Sequence, residues 1–331
     1  MPLLTFTEAL QQSGNNDKLV LLGNGFSIAF SYDMFSYSSL YNKGIVERND
    51  EQLQEVFEAL ETRDFEVVMK SLNSSSRISQ IYSCGNECID LMHNAIENVK
   101  AALIDVIVES HPENSRIIEE TKYNGTNRFL QNFKSFYTTN YDFLLYWCLF
   151  RGHSQYRPRF NDGFSRDTGI LEWTGGTGQN LFYLHGALHL YHQHTSIEKI
   201  AYLNGVLRDQ VRERITDGKF PMIVSEGSSH QKLERIESNK YLMHAYSNLQ
   251  NASGSLFIHG HSMSDNDDHL WNAIKNNANI DKLFISIHGD PRLQHNAQTI
   301  AKAISVANNR YINFYTSESV RLWQDPTEVQ P

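Results

Sequence analysis

The 331-residue chain is poor in cysteine, with only Cys84, Cys88 and Cys148. Three thiols cannot build a disulfide framework, and they leave no room for a four-cysteine zinc site. Cys84 and Cys88 fall four apart in a helical pattern, where two thiols with no second pair are buried or idle rather than metal ligands. Extended Lys/Arg blocks are also missing, and the formal net charge is −9. Such a surface repels polyanions, which disfavours direct nucleic-acid binding. No apolar run reaches the length of a membrane span, and the start, MPLLTFTEALQQSGNNDK, lacks a basic segment followed by an apolar one. These absences predict a cytoplasmic protein with no membrane span. Internal repeats and low-complexity segments are absent too.

What is present is globular in balance, with 40% hydrophobic and 20% charged residues. The length suits one large domain with an insertion, or two modest domains. Apolar, β-prone runs occur at 18–23 (KLVLLG), 134–138 (KSFYT), 181–184 (LFYL), 221–224 (PMIV), 255–259 (SLFIH), 282–287 (KLFISI) and 311–315 (YINFY). They are continuous rather than alternating, which is how strands covered on both faces read. Helical patterns at 49–60, 76–108, 113–132, 229–250, 266–277 and 294–307 separate most of them. Alternation of this kind predicts an α/β fold with a doubly wound parallel sheet. The span between the first two strands is too long for a simple crossover and carries no strand pattern. Residues 31–130 are therefore expected to form a helical insertion or subdomain, with 1–30 and 131–331 as the sheet domain. The stretch 151–180, containing Pro158, Gly163 and the run TGGTG, reads as a surface loop near the site.

Ligands of doubly wound sheets bind beyond the carboxyl ends of the strands, so the residues following each run carry the functional signal. The first strand leads into Gly23-Asn24-Gly25-Phe26-Ser27. Glycines there let the backbone approach a phosphate, and N–H groups at a following turn or helix favour an anion. A tight turn uses the same residues, and the full GxGxxG spacing is absent. The second strand leads into Thr138-Thr139-Asn140-Tyr141-Asp142. Asn140 is suited to bond a ribose hydroxyl or orient water, and Asp142 to cap a helix from Phe143. The third ends in Leu184-His185-Gly186, where an imidazole titrating near neutrality is placed to act as a base. His189, His192 and His194 follow; without supporting carboxylate spacing they read as loop surface rather than a metal site. After 255–259 comes His259-Gly260-His261-Ser262-Met263-Ser264-Asp265, either a phosphate or ribose cradle or a turn with Asp265 as helix N-cap. After 282–287 comes His288-Gly289-Asp290-Pro291, where Asp290 reads as a ribose ligand or as part of a plain turn.

Taken in order, GNGFS, TTNYD, LHG, GHSMSD and IHGD each follow an apolar strand, and together they resemble the sirtuin superfamily. The chain looks most like bacterial sirtuin-like proteins that deplete NAD in defence against phage. Residues 223–234 (IVSEGSSHQKLE), with Tyr241-Leu242 beyond, resemble one bacterial branch of them. The resemblance implies a Rossmann-like fold that binds NAD as a substrate and needs no metal. It makes Gly23, Asn24, Gly25, Phe26 and Ser27 the phosphate and ribose loop, Asn140 the catalytic amide and His185 the general base. Asp142 would support the Asn140 loop, Gly260 and Ser262 would line the diphosphate or nicotinamide ribose, and Asp290 the adenosine ribose. Asn24 stands where the family has alanine, Thr139 where the deacylases have glutamine, and the zinc ribbon is missing. The implied activity is thus hydrolysis of NAD to nicotinamide and ADP-ribose. A binding-only sensor, protein ADP-ribosylation and deacylation are the alternatives. The resemblance also implies a homo-oligomer or an activating protein partner, with 31–130 as candidate self-association surface.

Overall fold

The apolar runs become strands because each places bulky aliphatic and aromatic side chains on both faces of a sheet that helices cover. A computed structural model of the chain describes residues 2–150, 156–166, 171–175, 177–201, 206–225 and 228–325. Its strands are β1 (Lys18–Leu22), β2 (Ser135–Thr138), β3 (Phe164–Ser165), β4 (Leu171–Trp173), β5 (Leu181–Tyr183), β6 (Leu190–Gln193), β7 (Ser196–Lys199), β8 (Gly254–His259), β9 (Ile280–Ile287) and β10 (Tyr311–Thr316). Six of them form one sheet in the order β5-β2-β1-β8-β9-β10, and every neighbouring pair is parallel. The chain winds outward from β1 to β5, then returns to the other side of β1 and winds outward to β10. That is the strand order of Rossmann-like sheets, with the direction reversing between β1 and β8.

Register turns this topology into a site. Leu22 sits beside Thr138 on one side and His259 on the other. The residues that follow, Gly23, Thr139-Asn140 and Gly260, therefore emerge together at the switch point. Val20, Leu21 and Leu22 of β1 and Leu256, Phe257 and Ile258 of β8 have no solvent exposure.

The described residues of 31–130 contain helices and no strand. Helix Phe65–Ile81 returns on helix Asn86–Ser110. The 76–108 pattern is thus two helices, broken where Ser83 takes a positive φ of 53°. Asp64 caps the first, its carboxylate accepting from the N–H groups of Glu66 and Val67. Buried residues of this stretch, among them Phe35, Phe57, Leu103 and Ile107, join one continuous core with the sheet. The two thiols four apart, Cys84 and Cys88, are exposed at its far end. No described helix is long and apolar enough to cross a membrane.

Three expectations change. The 221–224 run does not enter the sheet; Ile223 makes an isolated antiparallel bridge to Gly186. It ties down the loop after β5 instead, with Met222 C=O accepting from Ala187 N–H at 3.0 Å and Val224 N–H donating to His185 C=O at 2.8 Å. The 151–180 stretch is not wholly loop either. Its β3 and β4 join β7 and β6 in an antiparallel four-stranded sheet, order β3-β4-β7-β6, while residues 151–155, 167–170 and Gly176 of the TGGTG run lie outside the described residues. Strands of two to four residues are too short to declare a period. Buried Lys199 of β7, paired with Asp162, anchors this sheet over the rings of Phe150 and Phe164. His189, read as surface, is fully buried and stacks on Tyr146 at 4.3 Å; His192 and His194 are exposed.

Candidate functional site at the sheet switch point

The glycines after β1 and β8 exist first because two loops cross there. Gly23 N–H donates to His259 C=O at 3.0 Å, and Gly25 N–H to Gly260 C=O at 2.7 Å. A Cβ on Gly25 would stand 2.6 Å from Gly260 Cα, and one on Gly260, at φ +67°, 2.8 Å from Gly25 Cα. Only glycine permits that approach and that backbone region together. Beside the crossing opens a cleft of about 1000 Å³, lined by Asn24, Gly25, Asn140, Asp142, His185, Gly260 and Ser262 among others. Its size and its mix of apolar wall and convergent polar groups suit a large small-molecule ligand.

Two expected cofactor contacts point elsewhere. Phe26 is fully buried with its ring edge-on to Trp323 at 5.4 Å. Ser27 is also fully buried, on the inner face of the short helix Gly25–Ile28. The alternation of a helical turn after Gly25 sends both inward, so they support the loop and do not line the cleft. Ser27 donates its hydroxyl to Asp142 and accepts from Asn140 Nδ2 at 3.0 Å.

Asn140 is held from the same side. Its Nδ2 also donates to Gly23 C=O at 3.0 Å, so both amide hydrogens are committed and the side-chain oxygen is the group left for the cleft. Asp142 accepts from Leu144 N–H at 2.8 Å, capping helix Leu144–Phe150 one residue later than expected. Burial pushes its carboxyl up to about 6, with the Ser27 hydroxyl and Leu144 N–H opposing. Its contacts make it a brace for the Asn140 loop rather than a ligand group.

His185 is 2% exposed at the floor of the cleft. Gly186, at φ +74°, lets the 221–224 backbone close over it, since a Cβ there would sit 1.9 Å from Met222 O. Around His185 lies a cluster that sequence reasoning missed. His185 Nε2 meets His269 Nε2 at 3.0 Å, with Asp267 Oδ1 at 3.8 Å. Lys232 donates to Asp267 Oδ1 at 2.8 Å and to Glu66 Oε2 at 2.7 Å; His261 Nε2 lies 3.4 Å from Asp267 Oδ2. Tyr141 donates to Glu66 Oε1 at 3.0 Å.

Burial pushes His185 and His261 below the usual histidine value and His269 to about 4, against the pull of Asp267. The imidazoles are neutral at physiological pH. Burial likewise works against charge on Lys232, but Glu66 and Asp267 outweigh it and hold the ammonium. Glu66 rises to about 7, from burial first and the neighbouring carboxylates next, with Lys232 opposing. Asp267 stays ionised against burial because of Lys232. His185, Asp267 and His269 have the donor types and spacing of a metal triad, but the Lys232 ammonium already donates at 2.8 Å to the Asp267 oxygen that faces them and would repel a second cation. The donor set does not fit a cation.

At the far end, Asp290 leaves the site. It is chelated by Arg292, with Nη2 to Oδ2 at 2.6 Å, so the Gly-Asp-Pro turn wins over the ribose contact. The acidic residue lining that end is Glu318, whose Oε1 accepts from Gly289 N–H at 2.8 Å. Asp265 is not the N-cap either. Ser264 caps the short turn Asp265–Asp267, while Asp265 pairs with Lys302 at 2.6 Å. Ser262 lines the cleft and its C=O accepts from Thr299 at 2.9 Å.

Glu66 and Lys232 carry no local motif; Glu66 falls between the 49–60 and 76–108 patterns, and Lys232 sits in the 229–250 helical pattern, where charge ordinarily marks a solvated face. His269 and Asp267 stood inside the Asp-rich run DNDDH, whose only sequence-level signal was helix capping. No curated protein matches the chain. A family profile matches residues 20–323, nearly the whole fold and every element of the site, so the chain belongs to the family described as domain of unknown function DUF4917.

Proposed function

We propose that the protein is a sirtuin-like NAD glycohydrolase, converting NAD and water to nicotinamide, ADP-ribose and a proton. The observation that carries this reading is the convergence of the Asn140 side-chain oxygen and the His185 imidazole on one cleft beside the Gly23–Gly25 loop. NAD would lie across the strand ends, its diphosphate along the glycine loops and its nicotinamide ribose between Asn140 and His185. The C–N bond to nicotinamide breaks through an oxocarbenium-like ribose, and the bonding electrons leave with nicotinamide. Asn140 orients the attacking water, and His185 takes the proton that the water or a ribose hydroxyl gives up. A neutral, buried imidazole has its lone pair available for that step.

The test incubates purified protein with NAD across protein concentrations and follows nicotinamide and ADP-ribose by chromatography, beside His185→Ala and Asn140→Ala. Turnover is expected in the wild type and lost in both variants, by about 10²-fold or more; equal turnover in either variant sinks the assignment. A rise in specific activity with concentration would support a homo-oligomeric active form. Because His185 is almost sealed from solvent, a second reading is a sensor that retains NAD uncleaved. Stoichiometric binding without nicotinamide release would select it. Label transferred from NAD to protein, or acyl release from lysine, would select a transferase or deacylase. A role in antiphage NAD depletion, with a protein trigger, follows from the same resemblance and is part of the proposal.

A further inference from the structure

We infer that His269 and Ser229 are positioning residues that set the tautomer of His185, leaving the lone pair on its cleft-side nitrogen. The inference rests on the base role proposed above for its purpose, but not for its geometry. His185 lines the cleft, yet its Nε2 is turned inward to His269 Nε2 at 3.0 Å. Nδ1 is thus the ring nitrogen left for the cleft. Two nitrogens facing each other at that distance share one proton, so one ring donates and the other accepts.

If His269 donated, His185 would carry its own proton on Nδ1 and offer the cleft an N–H that cannot take a proton. If His185 donates, Nδ1 holds the lone pair and can act as a base. Two neighbours select the second arrangement. Asp267 Oδ1 lies 3.8 Å from His185 Nε2, so its negative charge favours a proton on that nitrogen. On the far side of His269, Nδ1 faces Ser229 Oγ at 3.1 Å. Ser229 Oγ already accepts from His269 N–H at 2.6 Å, and in this assignment its second lone pair takes the Nδ1–H while its own O–H turns away from the ring.

The chain then runs His185 Nε2–H to His269 Nε2, and His269 Nδ1–H to Ser229 Oγ. When His185 accepts a proton at Nδ1, its new charge faces the Asp267 carboxylate, while His269 accepts the inner N–H. The other groups around this pair are His261 and the Lys232 ammonium, both held at Asp267. They hold Asp267 in its ionised form and in place, and among the described residues the His185 ring has its hydrogen bond with His269. A fixed tautomer is worth much to a histidine base, because the wrong one presents a donor where an acceptor is required.

The experiment reads the tautomer directly and then the kinetics. In wild-type protein labelled with 15N-histidine, correlation spectra of the His185 ring at pH 7.5 should show Nε2 protonated and Nδ1 bare; a proton on Nδ1 overturns the inference whether or not the protein cleaves NAD. For NAD cleavage, His269→Leu should lower kcat about 10²-fold or more with KM for NAD within about twofold. His269→Gln, whose amide oxygen can accept the inner N–H and whose amide nitrogen can donate to Ser229, should recover about tenfold of that loss. Equal damage from Leu and Gln in folded protein overturns the inference. No cleavage by the wild type refutes the hydrolase reading alone, and the spectrum still decides the tautomer.

Discussion

Replacing Lys232 with methionine tests whether the helical stretch is energetically joined to the sheet. Lys232 is fully buried between Glu66, from helix Phe65–Ile81, and Asp267, from the turn after β8. Methionine keeps much of the volume and removes the charge, so buried Asp267 and partly buried Glu66 lose their common partner. Breaking a buried ion pair from one side costs about 3–5 kcal/mol. The loss depends on pH in a direction the structure sets. Glu66 sits at about 7 even with Lys232 in place, above its ordinary 4.5, and without the ammonium it rises further. A carboxyl whose folded value is raised favours the folded state at low pH, and this contribution is lost as pH rises through the folded value. Lys232→Met should therefore lose about 3–5 kcal/mol at pH 8 and distinctly less at pH 5, read by urea unfolding at both. Adding Glu66→Gln should return about 1–2 kcal/mol at pH 8. A variant within about 1 kcal/mol of wild type at pH 8, or equally damaged at both pH values, would refute the reasoning.

Two further outcomes follow from buried geometry elsewhere. His111 donates from Nδ1 to Ile107 C=O at 2.9 Å and accepts Phe143 N–H at 2.8 Å, and burial pushes it to about 4 from 6.5. Because its folded value is depressed, its share of stability is complete above about pH 6.5 and lost as pH falls toward 4. That share is on the order of 3 kcal/mol, and the acid slope of the unfolding free energy should be shallower in His111→Leu. Gly260→Ala should cost about 2–5 kcal/mol, from the left-handed backbone and the crowding against Gly25. Gly289→Ala, at φ +70° but with open space around its Cβ position, should cost only about 1–2 kcal/mol; equal losses in thermal unfolding would refute the loop-crossing account.

The parallel sheet was legible because strands covered on both faces must be apolar throughout, and KLVLL or SLFIH can hardly be read otherwise. Given those strands, topology does the rest: any residue just past a carboxyl end arrives at one crevice, which is why Gly25, Asn140, His185 and Gly260 meet. The failures have the opposite cause. Phe26 and Ser27 stand beside the right glycine, but one helical turn is enough to aim them at the core. Asp290 follows the right strand, but Arg292, two residues away, captures its carboxylate. The 221–224 run has strand composition, yet a bridge to Gly186 serves the fold better than a seventh place in the sheet.

The buried charges were illegible for a deeper reason. A lysine in SHQKLERIE looks solvated, because nothing local reveals that Glu66, 166 residues away, will reach across to it. Glu66 also explains why 31–130 is more than a cover. Phe35, Leu103 and Ile107 supply one wall of the cleft, and Glu66 supplies a carboxylate to the cluster that holds Asp267 against His185. Any movement of helix Phe65–Ile81 must therefore either part Glu66 from Lys232 or draw Lys232 away from Asp267. Because Lys232 also bonds Asp267, which lies 3.8 Å from His185, a shift of that helix would reach the surroundings of His185 without touching the cleft.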